Sequence, residues 1–182
     1  EERGTIVPGD LFDLIAVEWL LLQNPRRRFP PERPRLPGQK FPGLGLGREV
    51  QTLLDVMGER LRREGLIGFP EHYHNAVMYG EKYRFLAPER EGIMGALRRD
   101  LGGLSLAGAS WAVERGLVKD AASGAPFAWV GEEMVRPLVP RIANWFASAE
   151  YREAVARAEA EARFTVDRAA AERVLEEVRA GR

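Results

Sequence analysis

Between residues 25 and 42 the chain places six of its twelve prolines: Pro25, Pro30, Pro31, Pro34, Pro37 and Pro42. Each proline removes a backbone donor and fixes φ, so neither a helix nor a central strand can cross this stretch. It must run as an extended, polyproline-like arm, and it separates an apolar run at 11–22 from everything that follows. Arg26, Arg27, Arg28, Arg33, Arg35 and Lys40 lie in the same arm against one acid, Glu32. Such a segment reads either as a solvated linker or as an arm that meets a phosphate or an acidic partner.

Upstream of the arm, Thr5–Val7 fits a short strand closed by Pro8-Gly9, and Asp10 offers an N-cap. Leu11 to Leu22 is apolar except for Asp13 and Glu18, a pattern shared by buried helices and buried strands. The expected form is a short helix at 10–15 passing into a strand at 16–22, with Glu18 in apolar surroundings. The start at Glu1 reads as a fragment or a trimmed chain.

Downstream, Val50, Leu53, Leu54, Met57 and Leu61 recur at helical spacing, which predicts a helix over 48–64 with this face inward and Gly65 closing it. Leu66–Phe69, stopped by Pro70, predicts a buried parallel strand. Asn75 predicts the N-cap of a helix at 76–83. Pro88 opens a helix ending near Asp100, and Ser105–Arg115 is another. Leu117–Lys119 and Phe127–Val130, flanking Asp120–Pro126, predict a hairpin. Further helices are expected near 131–146, bent or split by Pro137 and Pro140, and at 148–163 and 167–180. The pattern as a whole is α+β: a small mixed sheet with packed helices, then a helix-rich C-terminal region. Residues 1–86 form the α/β core with its arm at 25–42, and 87–182 a mainly helical region packed on the same domain.

Composition excludes several classes of function. Basic and acidic residues balance at 27 each, which gives no global attraction to nucleic acid or to anionic membrane. No run approaches the ~20 apolar residues of a membrane helix, and no signal peptide is visible, so a cytoplasmic protein is expected. The absence of cysteine removes disulfides, a thiolate nucleophile and Cys-ligated zinc. Only Lys40, Lys82 and Lys119 are lysine among the basic residues, a bias that leans toward a thermophilic or GC-rich bacterial source.

The chemistry-bearing stretch is Gly43-Leu44-Gly45-Leu46-Gly47-Arg48 running into the 48–64 helix. Small residues that deliver free amides to a helix N-terminus make an anion cradle. The spacing is neither the dinucleotide fingerprint nor a P-loop, and a tight structural connection needing small residues is the plainer alternative. Together with Asn75-Ala76-Val77-Met78-Tyr79-Gly80-Glu81-Lys82-Tyr83-Arg84-Phe85, this turn resembles the core of the GCN5-related N-acetyltransferase superfamily, over residues 17–85. That family carries a [QR]-x-x-G-x-[GA] pyrophosphate loop and, about thirty residues on, an Asn- and Tyr-containing stretch. Gly45 and Gly47 match the loop's glycines, while Pro42 stands where Gln or Arg is usual.

The resemblance implies acetyl-CoA or another acyl-CoA as cofactor, its pyrophosphate on Gly43, Leu44, Gly45, Leu46, Gly47 and Arg48. It further implies Leu21 and Leu22 beside the pantetheine arm, Asn75 at the ligand, Tyr79 as general acid and Glu18 as general base. The acceptor would be a small-molecule or protein amine. On the residues alone, Glu18 could equally sit on the exposed side of a half-buried element. His72 and His74, two apart, could share a metal if they lay on a strand, or simply make ordinary hydrogen bonds. The four tryptophans read as core or interface anchors. The leading expectation is therefore an acyl-CoA-dependent N-acyltransferase or a degenerate relative. Its rivals are a non-enzymatic binding or assembly module, with possible homo-oligomers through the terminal helices, and a metal-binding protein using His72 and His74.

Overall fold

The structure, a computed structural model, describes residues 10–18 and 20–181. Strand β1 (Leu14–Val17) is followed by the proline arm and then by helix α1 (Gly47–Arg60). Strand β2 (Gly65–Gly68), helix α2 (Tyr73–Tyr79) and strand β3 (Arg84–Phe85) come next. Two helices follow, α3 (Pro88–Asp100) and α4 (Leu106–Glu114). The chain then forms β4 (Val118–Asp120), β5 (Met134–Pro137), α5 (Pro140–Ala147), α6 (Ala149–Glu161), β6 (Phe164–Val166) and α7 (Arg168–Arg179). The fold is a mixed α+β arrangement of these helices with two small sheets.

The main sheet has the order β1-β2-β5-β3. β1 and β2 are parallel, with Leu14 opposite Gly65 and Val17 opposite Gly68, and α1 makes the crossover between them. β5 runs antiparallel to β2 and to β3, setting Met134 beside both Gly68 and Phe85. The sheet therefore takes an interior strand from beyond residue 86. Its core is filled by Leu66, Phe85, Leu97 and Met134, all fully buried. β4 and β6 form a separate two-stranded ribbon.

Local chemistry explains most helix boundaries. Ser105 Oγ accepts from Gly108 N–H at 3.1 Å, Ser148 Oγ from Tyr151 N–H at 3.1 Å, and Asp167 Oδ1 from Ala170 N–H at 2.9 Å. Each is the N-cap bond that satisfies one orphan amide. α3 opens on Pro88, with Glu89 and Glu91 in its first turn and Arg98 and Arg99 in its last, matching the helix dipole at both ends.

Several expectations are corrected. Residues 10–13 form no helix, and only Leu14–Val17 of the apolar run is strand; the chain beyond it leaves Leu20 and Leu21 exposed. The strand expected at Thr5–Val7 lies outside the described residues. α1 ends at Arg60 because Arg62 takes the left-handed conformation (φ 55°), so Gly65 starts β2 instead of closing the helix. The inward side of α1 is marked by Gly58, while Leu53, Met57 and Leu61 face out. Phe127–Val130 is not a strand: β4 pairs with β6, and the hairpin survives as one bridge between Lys119 and Pro126. The expected helix at 131–146 is strand β5 followed by α5, because Met134 and Val135 fill the slot between β2 and β3.

The arm is ordered by its contacts. Leu36 packs on Trp111 and Leu175, Pro37 is buried, and Trp111 Nε1 donates to Arg35 O at 2.9 Å. At the arm's two ends, Asn24 N–H donates to Pro42 O at 2.7 Å and Phe41 N–H to Gln23 Oε1 at 3.0 Å.

Candidate functional site

Topology places Glu18 and the start of α2 before any side chain is considered. The parallel strands β1 and β2 end together at Val17 and Gly68, and the chain leaves both at this carboxyl edge. α1 lies in the crossover from β1 to β2, and along it Asp55 reaches Arg136 on β5 while Gln51 reaches Tyr83, just before β3. α2 starts five residues past the end of β2. Such an edge, where strands end and helices begin, is where α/β folds bind ligands.

The arm's closure completes the arrangement. Leu44 N–H donates to Leu22 O at 2.8 Å, and Gln23 and Gly43 form a bridge. Leu22 is thereby held against the first residues of the glycine turn. Leu44 spends its amide on this bond, so it is not a free donor. Gly45 adopts φ +81°, a conformation that explains its identity without a ligand. Gly47 has an ordinary φ, and a Cβ built on it meets no atom within 4 Å. Neither strain nor packing requires glycine at 47. The helix that starts there has Leu46 as its N-cap, with no side chain accepting from the first amides. Leu21, Leu44 and Leu46 are exposed around the turn, as are Gly43 and Arg48.

Glu18 follows directly on β1 at this edge and is exposed, so the apolar run does not bury it. Asn75 does not cap α2. His72 takes that position, and Asn75 Oδ1 accepts from His72 N–H at 3.1 Å from inside the first turn. Tyr79, in the last turn of α2, is half-buried against the core with its ring 5.6 Å from that of Tyr83. Burial pushes the Tyr79 phenol up, helped by the charge of Glu71, so it stays protonated at neutral pH.

Sequence reasoning missed a polar network beside Tyr79. Tyr83 OH donates to Gln51 Oε1 at 3.1 Å, and Gln51 Nε2 donates to Asp55 Oδ1 at 2.8 Å. Asp55 also meets Lys82 at 3.1 Å and Arg136 at 3.4 Å. Burial acts to raise the Asp55 carboxyl, but these hydrogen bonds outweigh it and hold it below the usual carboxylate value. Gln51 lies one turn into α1 from Gly47, so the network links the α2–β3 connection and β5 to the helix that carries the turn. The Gln51–Asp55 pair was visible at i, i+4; its partner Arg136, on β5, was not.

His72 and His74 lie at the start of α2, not on a strand, and their rings stack 5.4 Å apart with planes 11° from parallel. His72 turns Nδ1 toward Glu114 at 3.3 Å. Among the described residues no group of three or more His, Asp or Glu is placed to hold a metal ion. His74 is 2% exposed, and burial, aided by the charge of His72, pushes its imidazole down from 6.5 to about 4. Its neutral form is the one that folds. Stability on this account is fully present above pH 6.5 and is lost as pH falls toward 4, by up to about 3 kcal/mol. Urea unfolding at pH 7.5 and 4.5 should show that loss in the native chain and a visibly smaller one in His74→Gln. Equal losses in both would place the acid sensitivity elsewhere.

A cleft of about 270 Å³ lies at the opposite edge of the sheet, by β3, lined by Arg84, Glu91, Phe146, Tyr151, Arg152 and Glu159. Its Arg84 is already engaged by the Gly80 and Tyr83 carbonyls and by Glu91. Among the described residues no helix is long and apolar enough to cross a membrane. No protein-family model, curated protein or solved structure matches the chain.

Proposed function

We propose that the 43–48 turn binds the diphosphate of a CoA-type ligand and that the protein transfers an acyl group from acyl-CoA to an amine. The observation that carries this is the uncapped start of α1, exposed and with a glycine at 47 that no neighbour requires. Free amides at a helix N-terminus favour phosphate. The exposed Leu21 and Leu44 beside them suit the apolar stretch of a pantetheine arm. In the transfer, the amine nitrogen bonds to the thioester carbon, the carbon–sulfur bond breaks, and the amine gives up a proton. Tyr79, kept protonated, returns a proton to the leaving thiolate. Glu18, exposed directly after β1, is the carboxylate that accepts the amine's proton, directly or through water.

Gly47→Glu tests the site. An acid in the first turn of a helix favours folding, and open space surrounds position 47. The variant should therefore melt like the native protein while binding CoA at least ~100-fold more weakly, by like-charge repulsion at the phosphates. Unchanged CoA affinity would remove the ligand from this turn.

A second reading is a non-enzymatic binding or assembly module. The exposure of Glu18, which sets it against bulk water instead of inside a closed site, favours this alternative.

A further inference from the structure

We propose that the protein pairs with a second copy of itself through the outward face of α1, with the two helices antiparallel. Leu46, Leu53, Val56, Met57 and Leu61 are all exposed along this helix, Leu53 at 58% and Leu61 at 54%. Positions 46, 53 and 57 fall within about 40° of one another around the axis, flanked by Val56 and Leu61, and about 120° round from the inward Gly58. Such a stripe on a surface helix is apolar area that water penalises until something covers it.

Area and charge both point to the occupant. The five side chains expose roughly 400 Å² of apolar surface per subunit, about half of the ~800 Å² per partner in a stable interface. Interfaces are only a little more than half apolar, so the charged residues flanking the stripe supply the remainder. Leu46, Glu49, Leu53, Val56 and Arg60 follow an alternating three- and four-residue spacing, the seam that two helices share. About a two-fold axis, residues whose numbers have a constant sum face each other. When Leu53 meets Val56 of the partner subunit, Glu49 meets Arg60 of the partner subunit, and symmetry repeats both contacts. A parallel pair would instead set Glu49 against the partner's Glu49, a like-charge contact. Glu49 and Arg60 are exposed, and among the described residues neither has an ion-pair partner within the chain, so both are available for this contact. The stripe is thus complementary to itself in one orientation only.

Sedimentation equilibrium on the full 182-residue chain tests the pairing. The native protein should be a dimer with a micromolar dissociation constant. Leu53→Glu should weaken it at least ~100-fold, and because the side chain is already exposed, the urea unfolding curve should stay two-state. Glu49→Arg and Arg60→Glu should each weaken pairing about tenfold, and the double variant should return to within about threefold of native. A native protein that stays monomeric at about 100 μM overturns the proposal. So does a dimer indifferent to Leu53→Glu. A double variant weaker than either single one overturns the antiparallel register.

Discussion

The Gly92→Ala variant is expected to lose about 2–4 kcal/mol of stability, even though alanine raises helix propensity by about 1 kcal/mol at an interior position. Gly92 sits where α3 crosses α6. A Cβ there would lie 2.5 Å from Val155 O, 2.7 Å from Ala158 Cβ and 2.8 Å from Glu159 N. Two of these are backbone atoms, which cannot rotate aside, so the helices must separate along their shared face. Gly95, one turn on, offers a contrast: a Cβ there would meet only the Glu159 carboxylate, the end of a flexible side chain. For a chain of this size the loss corresponds to a melting temperature lower by about 5–10 °C. Gly47→Ala, in open space, is the control and should leave stability the same or slightly higher. A Gly92→Ala protein as stable as the native one would mean that α3 and α6 are not packed this closely.

Tyr79→Phe should slow acyl transfer by about 10²–10⁴ while leaving CoA affinity and stability nearly unchanged. The phenol ring packs on the core and is retained in phenylalanine, so only the proton donor is lost. Tyr79 carries its proton at neutral pH and so has one to give to a departing thiolate, while burial makes it a weaker acid than a free phenol. Glu18 differs. Its side chain is exposed, where water can take over as proton acceptor, so Glu18→Gln is expected to lower the rate less than about tenfold. Release of free thiol from acetyl-CoA, followed over a panel of primary amines, measures both. An unchanged rate in Tyr79→Phe would remove Tyr79 from the chemistry. A native protein that binds CoA but turns over none of these amines would favour the binding-module reading.

Helices whose signals are local were legible in the sequence. Pro88, Ser105, Ser148 and Asp167 each stand at or next to the N-cap of a helix whose start depends on nothing further away than its own first turn. β2 was legible as a short apolar run because a strand covered on both sides shows no alternation. The misreadings came from pairings distant in sequence. β5 was read as helix because Met134–Pro137 acquires its identity from Gly65–Gly68 and Arg84–Phe85, far along the chain. α1 was assigned a core-facing stripe because its apolar spacing is regular. Periodicity gives the stripe but not the side of the helix that the sheet covers, and Gly58 against Leu138 and Leu66 takes that side. Of the candidate site, the glycine turn was visible in the sequence. Its closure on Leu22, the exposure of Glu18 and the Gln51–Asp55–Arg136 network all depend on the tertiary fold.

Calorimetric titration of the native protein with CoA tests the central claim most directly, because it requires no acceptor and no turnover. Saturable heat is expected, with a dissociation constant between about 1 μM and 1 mM, the range in which enzymes hold their substrates. The same titration into Gly47→Glu should give little or none of that heat. Absence of heat from the native protein at millimolar CoA would contradict the assignment of the 43–48 turn as a phosphate cradle.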